Sequence, residues 1–585
     1  MKKTRRFASL ATAAILAACA VVPATMSALP VSAAATANTI TVGQVTDADK
    51  ANHTYSLYKI FSGNVEKDSL TNITWANESA GTAILTALQG DNTLKTYFGA
   101  DCDTAAKVAG VLANAKTEEK KAFADDNALM QQFAIVVQGA LNTAKIDAVA
   151  TATSTEGKVA SFSNISDDGY YLIVDTTSPM TGNGAYTRYI LTQYDASEGA
   201  ELTTKSALPS VVKKVYEDSA LEESYSYKAK PADVENTTDT GYNDVADYNI
   251  GDDVPFKLYG TMPSTLTGYE HYYYAFHDTL DDSLTLDVSS IQVTIDGATV
   301  APSNYQVVTS GTSDNCTFEV VFNDVMAAGA KENSSVVVSY KAKLNDNAII
   351  GATGQENKVN LEYSNNPNNE GDGTSKPSDT GKTPDDYVVV FTYELDTKKV
   401  DATTKKELAN AKFKLYRMNG QEKEYVKVDA NSKVKSWDAD GSVLTSDAHG
   451  LFKVIGLNDG TYYLEETEAP QGYSKLSTPV EVVISSDHDS TKDNNQNGNQ
   501  NYVGGTSEKG KAVLNALKIK VGSGAAEEDG TPNNGVVNAT VENRSGSTLP
   551  STGGIGTTIF YVAGGVLVVG AGVLLITKKR AKDAQ

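Results

Sequence analysis

Pro255-Phe256-Lys257-Leu258-Tyr259 places Phe256 and Leu258 on one side of an extended chain and Pro255, Lys257 and Tyr259 on the other. Ile291-Gln292-Val293-Thr294-Ile295 and Ser335-Val336-Val337-Val338-Ser339-Tyr340 alternate or nearly so, and Gly, Asn and Asp turns separate the runs. A period of two is the mark of a strand with one buried face. Short strands with regular turn signals predict a β-sandwich over 208–366. Working outward, residues 387–546 repeat the style, and the polar stretch opening at Ser364-Asn365-Asn366-Pro367 reads as a linker, 367–386. Asp487 to Gly510, rich in Asn, Gln and Asp, reads as a long loop inside the last domain. The segment 36–207 is mixed. Thr54-Tyr55-Ser56-Leu57-Tyr58-Lys59-Ile60-Phe61 and Tyr170-Tyr171-Leu172-Ile173-Val174 are strand-like, whereas Thr104 to Ala150 is Ala-rich with helical spacing. The chain is therefore expected to be mainly β, with an α+β N-terminal domain ahead of two sandwiches.

The ends carry separate signals. A basic start, an apolar stretch from Phe7 and small residues at Val31-Ser32-Ala33-Ala34-Ala35 describe a secretory signal peptide, 1–35. Leu16-Ala17-Ala18-Cys19 offers a rival lipoprotein reading, disfavoured because apolar sequence continues past Cys19. At the other end Leu549-Pro550-Ser551-Thr552-Gly553 precedes an apolar run over 555–577 and a basic tail, 578–585. That run makes a helix about 34 Å long, enough to cross a bilayer core of about 30 Å. The cations after it hold the tail inside the cell. The tripartite arrangement resembles the cell-wall sorting signal of Gram-positive surface proteins. That resemblance implies that a sortase cleaves between Thr552 and Gly553 and passes the Thr552 carbonyl to an amine.

Composition excludes several classes. The formal net charge is −23, and removing two basic ends leaves the remainder more acidic still, which argues against nucleic acid or an anionic membrane surface as partner. Beyond Cys19 only Cys102 and Cys316 remain, expected as two buried thiols rather than a disulfide. His53, His271, His277, His449 and His488 show no metal-ligand spacing, so surface or packing roles are expected. No phosphate loop, nucleophile elbow or zinc motif is found, so neither a turnover enzyme, a metal nor a cofactor is expected.

Two lysine–acid–asparagine sets stand out. In the last domain Thr397-Lys398-Lys399-Val400-Asp401 is followed by Gly460-Thr461-Tyr462-Tyr463-Leu464-Glu465-Glu466-Thr467-Glu468-Ala469-Pro470-Gln471-Gly472-Tyr473 and finally Ala539-Thr540-Val541-Glu542-Asn543. These pieces resemble the collagen-adhesin B-type domains of Gram-positive surface proteins, and the Glu-Thr-x-Ala-Pro-x-Gly-Tyr stretch resembles the pilin E-box. The resemblance implies an Ig-like sandwich with an intramolecular isopeptide bond between Lys399 and Asn543, assisted by Glu466. In the middle domain Leu208-Pro209-Ser210-Val211-Val212-Lys213-Lys214-Val215 opens and Gln355-Glu356-Asn357 closes a similar, A-type-like set. It resembles the middle domain of sortase-assembled major pilins and implies a Lys213–Asn357 bond. Gly251-Asp252-Asp253-Val254-Pro255-Phe256 resembles the family's Gly-Asp-x-Val-x-Phe strand, which implies Asp252 as the assisting acid, with Asp278, in Phe276-His277-Asp278-Thr279-Leu280, as competitor. Alternation puts Lys213 and Lys214 on opposite faces, so one of them is expected to be buried. Burial favours the neutral, nucleophilic lysine and the neutral carboxylic acid together.

Over nearly the whole chain the layout resembles the major fimbrial subunits of Gram-positive actinobacteria. A structural, cell-wall-anchored shaft subunit of a covalent pilus is the expected function, with a tip, ancillary or monomeric adhesin as the alternative. The implied partners are pilus-specific and housekeeping sortases, other copies of itself, ancillary pilins, peptidoglycan and a host glycan or matrix protein. The family's Tyr-Pro-Lys motif is absent, and Lys205, within Thr203-Thr204-Lys205-Ser206, stands at the junction where the polymerisation lysine is expected.

Overall fold

In the computed structural model the run 255–259 lies in the strand Asp253–Thr261, with Phe256 and Leu258 buried and Lys257 half-buried. The structure describes residues 36–45, 49–67, 69–114, 128–156, 158–180, 183–217, 224–227, 237–488, 514–546 and 555–582. The expected signal peptide, Leu549 to Gly553 and most of the polar loop 487–510 lie outside them.

Asp253–Thr261 is flanked by Val211–Tyr216 and Ser335–Leu344 in a six-stranded antiparallel sheet. A second sheet faces it, running Val245–Asp247, Asp386–Phe391, Gln355–Ser364, Tyr274–Leu280, Phe318–Phe322 and Gln306–Val308. The stretch expected to be a linker is part of this sheet. Thr380–Lys382 and Asp386–Phe391 both pair with Gln355–Ser364, and every residue from Asp386 to Phe391 is buried. A run of Tyr-Val-Val-Val-Phe covered on both faces is a central strand, so Tyr387 does not begin the third sandwich. The chain enters that sandwich at the strand Tyr393–Asp401, with the single residue Thr392 between it and Phe391.

The third sandwich has a small sheet in which Tyr393–Asp401 lies between Leu451–Leu457 and Val536–Asn543, the last running parallel to it. An eight-stranded sheet including Lys412–Asn419, Gly460–Glu468, Val480–His488 and Leu514–Val521 covers it. One continuous buried cluster passes from Val211 and Phe256 through Tyr393 to Val541, so the two sandwiches share apolar contacts. The backbones of Gly351 and Gly535 meet at the seam, both with positive φ, and a Cβ on Gly351 would sit 2.4 Å from Gly535 N. Such a seam excludes any larger residue at either position.

The first segment is built on the long strand His53–Glu66, paired with Ser69–Trp75, Ala150–Ser154 and Gly169–Asp175. Helices Glu78–Gly90, Ala105–Asn114 and Ala128–Thr143 cover one face with Ile84, Leu88, Phe133 and Leu141. The small sheet of Thr39–Gly43, Ala160–Ser163 and Ala200–Thr203 covers the other. Glu78–Gly90 lies outside the Ala-rich stretch read as helical; the Asn77 side chain caps it, accepting from Ala80 N at 3.0 Å. The segment 365–368 packs on this body: Tyr186 N donates to Asn365 O at 2.8 Å and Asn368 Nδ2 to Thr187 O at 3.1 Å. Cys102 and Cys316 are buried free thiols. The helix Ile555–Lys582 contains a span, Thr558–Arg580, long and apolar enough to cross a membrane.

Candidate functional site

Lys213 points from the first sheet of the middle sandwich into the space between the two sheets. On the facing sheet Asp278 is registered opposite Val359, two residues from Asn357. Because side chains two apart share a face, Asp278 and Asn357 are diagonal neighbours looking back at Lys213. Lys213, Asp278 and Asn357 are each 0 % exposed. Lys213 Nζ hydrogen-bonds Asp278 Oδ2 and lies 2.9 Å from Tyr340 Oη. The Tyr340 hydroxyl also touches both Asp278 oxygens at 3.1 Å and accepts from Asn357 Nδ2 at 2.8 Å. One phenol thus links amine, acid and amide. Burial pulls the Lys213 ammonium down to about 8 against the opposing pull of Asp278. The same burial raises the Asp278 carboxyl above its ordinary range. Both shifts move the pair toward a neutral amine beside a neutral acid.

Asp252, the acid favoured by the sequence, is elsewhere. Lys213 is registered opposite Leu258, six residues beyond Asp252, which is about 20 Å along an extended strand. Asp252 instead accepts from Asn249 Nδ2 at 2.8 Å and faces Arg417 of the third sandwich at 3.8 Å. The competitor Asp278 occupies the position at the lysine. Sequence reasoning also missed Tyr340, seen only as the end of an alternating strand; the signal available was a tyrosine on the core face, whose hydroxyl needs a buried partner. Lys214 does point the other way, but it too is buried, its amine paired with Asp244 beneath the outer face. The expectation of one buried lysine fails because that face is covered as well.

In the third sandwich Lys399 and Asn543 come together by strand pairing. Lys399 is registered opposite Val541 and Asp401 opposite Asn543, so the two side chains are diagonal neighbours on one face of a parallel pair. Both are fully buried, and Glu466, on the facing sheet, is nearly so. Asn543 Nδ2 donates to Glu466 Oε1 and Oε2 at 2.9 and 3.0 Å and to Ser474 O at 3.1 Å. Lys399 Nζ donates to Val541 O at 3.0 Å, and burial brings its ammonium down to about 8. The turn after the glutamate strand closes over the site. Leu476 N holds Glu466 Oε2 at 2.7 Å, and Ser474 N donates to Arg544 O at 3.1 Å. Asn357 Oδ1 and Asn543 Oδ1 are buried without a hydrogen-bond partner, a costly condition for an amide carbonyl. Turning over Asn543 would present its oxygen to Glu466, and turning over Asn357 would present its oxygen to the Tyr340 hydroxyl.

Lys205 follows the strand Ala200–Thr203 between the first body and the middle sandwich. It is half-buried, flanked by buried Thr204 and Ser206, with its backbone N donating to Thr187 Oγ1 at 2.8 Å, whereas its polar flanks predict an exposed acceptor.

Residues 393–500 match the family described as a prealbumin-like fold domain, and residues 542–583 match the LPXTG cell wall anchor motif. Over 421 residues the chain is 25 % identical to the trypsin-resistant surface T6 protein of Streptococcus pyogenes serotype M6, covering 65 % of this chain and 71 % of that one. Among solved structures, the T6 backbone pilin of serotype M6 Streptococcus pyogenes aligns over 87 % of this chain and 98 % of its own, with TM-score 0.46 and 19 % identity. The full-length major pilin SpaD of Corynebacterium diphtheriae aligns over 88 % and 98 %, with TM-score 0.41 and 15 % identity.

Proposed function

We propose that in this chain, a sortase-assembled major pilin anchored to the cell wall of a Gram-positive bacterium, Lys213 is joined to Asn357 and Lys399 to Asn543 by isopeptide bonds formed without an enzyme. The observation that carries the reading is the coincidence, twice, of a fully buried lysine, a buried carboxyl group and a buried asparagine on facing strands. The neutral Nζ attacks the asparagine Cγ, and the acid, Asp278 or Glu466, donates a proton to the carbonyl oxygen. The resulting carboxylate takes a proton from the now cationic lysine nitrogen and hands it to Nδ2, which leaves as ammonia, and the carbonyl re-forms as its hydroxyl returns the acid's own proton. One C–N bond forms and one breaks. Each event removes about 17 Da, so residues 36–546 expressed as one chain should weigh about 34 Da less than their sequence. A full sequence mass, or loss of one ammonia only, would overturn the paired reading.

The role that follows is a load-bearing one rather than turnover. Each bond closes a loop of more than 140 residues, and by analogy with disulfides it stabilises by about 5 kcal/mol. The chain serves as shaft subunit, with Thr552 of one copy joined by a sortase to Lys205 of the next and the terminal copy passed to peptidoglycan. Boiling cell-wall extracts in detergent should leave a ladder of high-mass species on an immunoblot. A single wall-linked band would favour a lone adhesin, directed at a host glycan or matrix protein, over the shaft.

A further inference from the structure

His277 precedes Asp278 on the strand Tyr274–Leu280 and therefore faces the opposite side of the sheet from the buried lysine. On that side it is registered opposite Glu319, and Glu362, opposite Ala275, is its diagonal neighbour. The turn before Phe318–Phe322 brings in Asp314 and Cys316. His277 Nδ1 lies 3.1 Å from Asp314 Oδ2, 3.4 Å from Glu319 Oε1 and 4.0 Å from Cys316 Sγ, which is itself 4.0 Å from Glu319 Oε1. All four donor atoms lie within 4.8 Å of one another. A tetrahedral ion with bonds of 2.0–2.3 Å separates its donors by about 3.2–3.7 Å. The widest separations need to shorten by no more than about an ångström for the set to close round one cation.

We propose that His277, Asp314, Cys316 and Glu319 form a structural zinc site. One imidazole, one thiolate and two carboxylates suit zinc, whereas a calcium or magnesium site would be built from oxygen alone. The surroundings supply the outer contacts that such sites use. Glu362 Oε2 lies 3.2 Å from His277 Nε2, close in distance but not aligned as a hydrogen bond. A metal on Nδ1 puts the proton on Nε2 and turns this contact into a carboxylate–histidine–metal relay. Glu362 is steadied by Lys376 Nζ and Thr380 Oγ1, both at 2.6 Å, and Asp314 by Lys382 Nζ at 2.9 Å. Ser313 N and Oγ hold Glu319 Oε1 at 2.8 and 3.0 Å. Three ligands are buried and Asp314 is partly exposed, which gives the ion an entry path. Binding takes the Cys316 proton to solvent and leaves a Zn–S bond. The ion ties the strand that carries Asp278 to its neighbour, bracing the isopeptide acid from behind.

The test uses the full-length chain in detergent micelles, stripped with a chelator and titrated with zinc, and separately with cobalt as a spectroscopic stand-in. One zinc per chain is expected, and cobalt should give a thiolate charge-transfer band. Cys316→Ser should abolish the band and weaken zinc binding at least 100-fold. Asp314→Asn, on the exposed side, should weaken it with no change in near-ultraviolet circular dichroism, and Glu362→Gln should cost about 10–100-fold. Cys102→Ser should change nothing. Failure to retain stoichiometric zinc, a band that survives Cys316→Ser, or zinc affinity unaltered by Asp314→Asn would each overturn the proposal.

Discussion

Lys213 and Lys399 are equally buried but differently supported. Lys213 has a carboxyl partner in contact and a tyrosine hydroxyl beside it; Lys399 Nζ is held by a backbone carbonyl, with Glu466 on the asparagine instead. Substitutions should separate the two arrangements. Asp278→Ala is expected to restore about 17 Da to the intact mass and to lower stability by about 5 kcal/mol, the worth of the lost cross-link, whereas Asp252→Ala leaves the mass unchanged. Loss of the bond in Asp252→Ala instead would sink the assignment. Glu466→Ala should restore the third sandwich's 17 Da, leaving the middle one's deficit in place. Tyr340→Phe removes the hydroxyl that joins amine, acid and amide, and should slow ammonia release from the middle sandwich alone. Time-resolved mass spectrometry of newly synthesised chain, before the bonds have formed, reads both.

Among the elements, the strand His53–Glu66 carries a titratable group that makes the first body sensitive to pH. His53 is buried, with Nδ1 2.8 Å from Asp175 Oδ2 and Nε2 3.3 Å from Asp49 Oδ1. Burial alone would lower its pKa, but the hydrogen bonds to Asp175 and Asp49 outweigh it and hold the imidazolium up to about 9. A pKa raised on folding gives stability that is complete below the unfolded value near 6.5 and is lost as pH climbs through about 9. At about 1.4 kcal/mol per pKa unit the stake is about 3 kcal/mol. Thermal unfolding of the first body should therefore occur at lower temperature at pH 9.5 than at pH 6, and His53→Gln should flatten that dependence. The strand itself was legible from Thr54 to Phe61 in the sequence. Its histidine was not, because Asp49 and Asp175 reach it only through the turn before it and a partner strand paired at Tyr55.

For the whole molecule, the shared core joins the two sandwiches, and the two proposed bonds would complete a continuous path for tension. The middle sandwich's last strand, Asp386–Phe391, leads directly into Tyr393–Asp401, and Tyr393 Oη reaches back to Asp247 Oδ1 at 2.5 Å. Lys205 sits where the first body meets the middle one. If it accepts Thr552 of the next copy, Lys205→Ala should abolish the high-mass ladder while monomers remain wall-linked. Lys205→Arg should fail equally, since a guanidinium stays protonated. Tandem mass spectrometry of digested fibres should find a branched peptide joining Leu549-Pro550-Ser551-Thr552 to the Lys205 peptide. A branch on another lysine would leave the polymer standing and move the acceptor.

The sequence by itself determined what local order can encode: the sorting signal, the β class from a period of two, and the lysines on the opening strand and asparagines on a late strand of each sandwich. Strand period and motif are properties of neighbouring residues, so they survive without a fold. Which acid meets Lys213 is a matter of how the two sheets face each other: Asp252 precedes the strand beside the lysine's own, whereas Asp278 lies on the facing sheet. Only the tertiary structure could decide it. The same holds for Tyr340, for the buried Lys214–Asp244 pair, and for the strand hidden at the end of a polar stretch that looked like a linker. His277 makes the point most directly. Its spacing from Asp314, Cys316 and Glu319 matches no ligand motif along the chain, and the pairing of two antiparallel strands, with the turn before the second, gathers all four donor atoms to within 4.8 Å of one another.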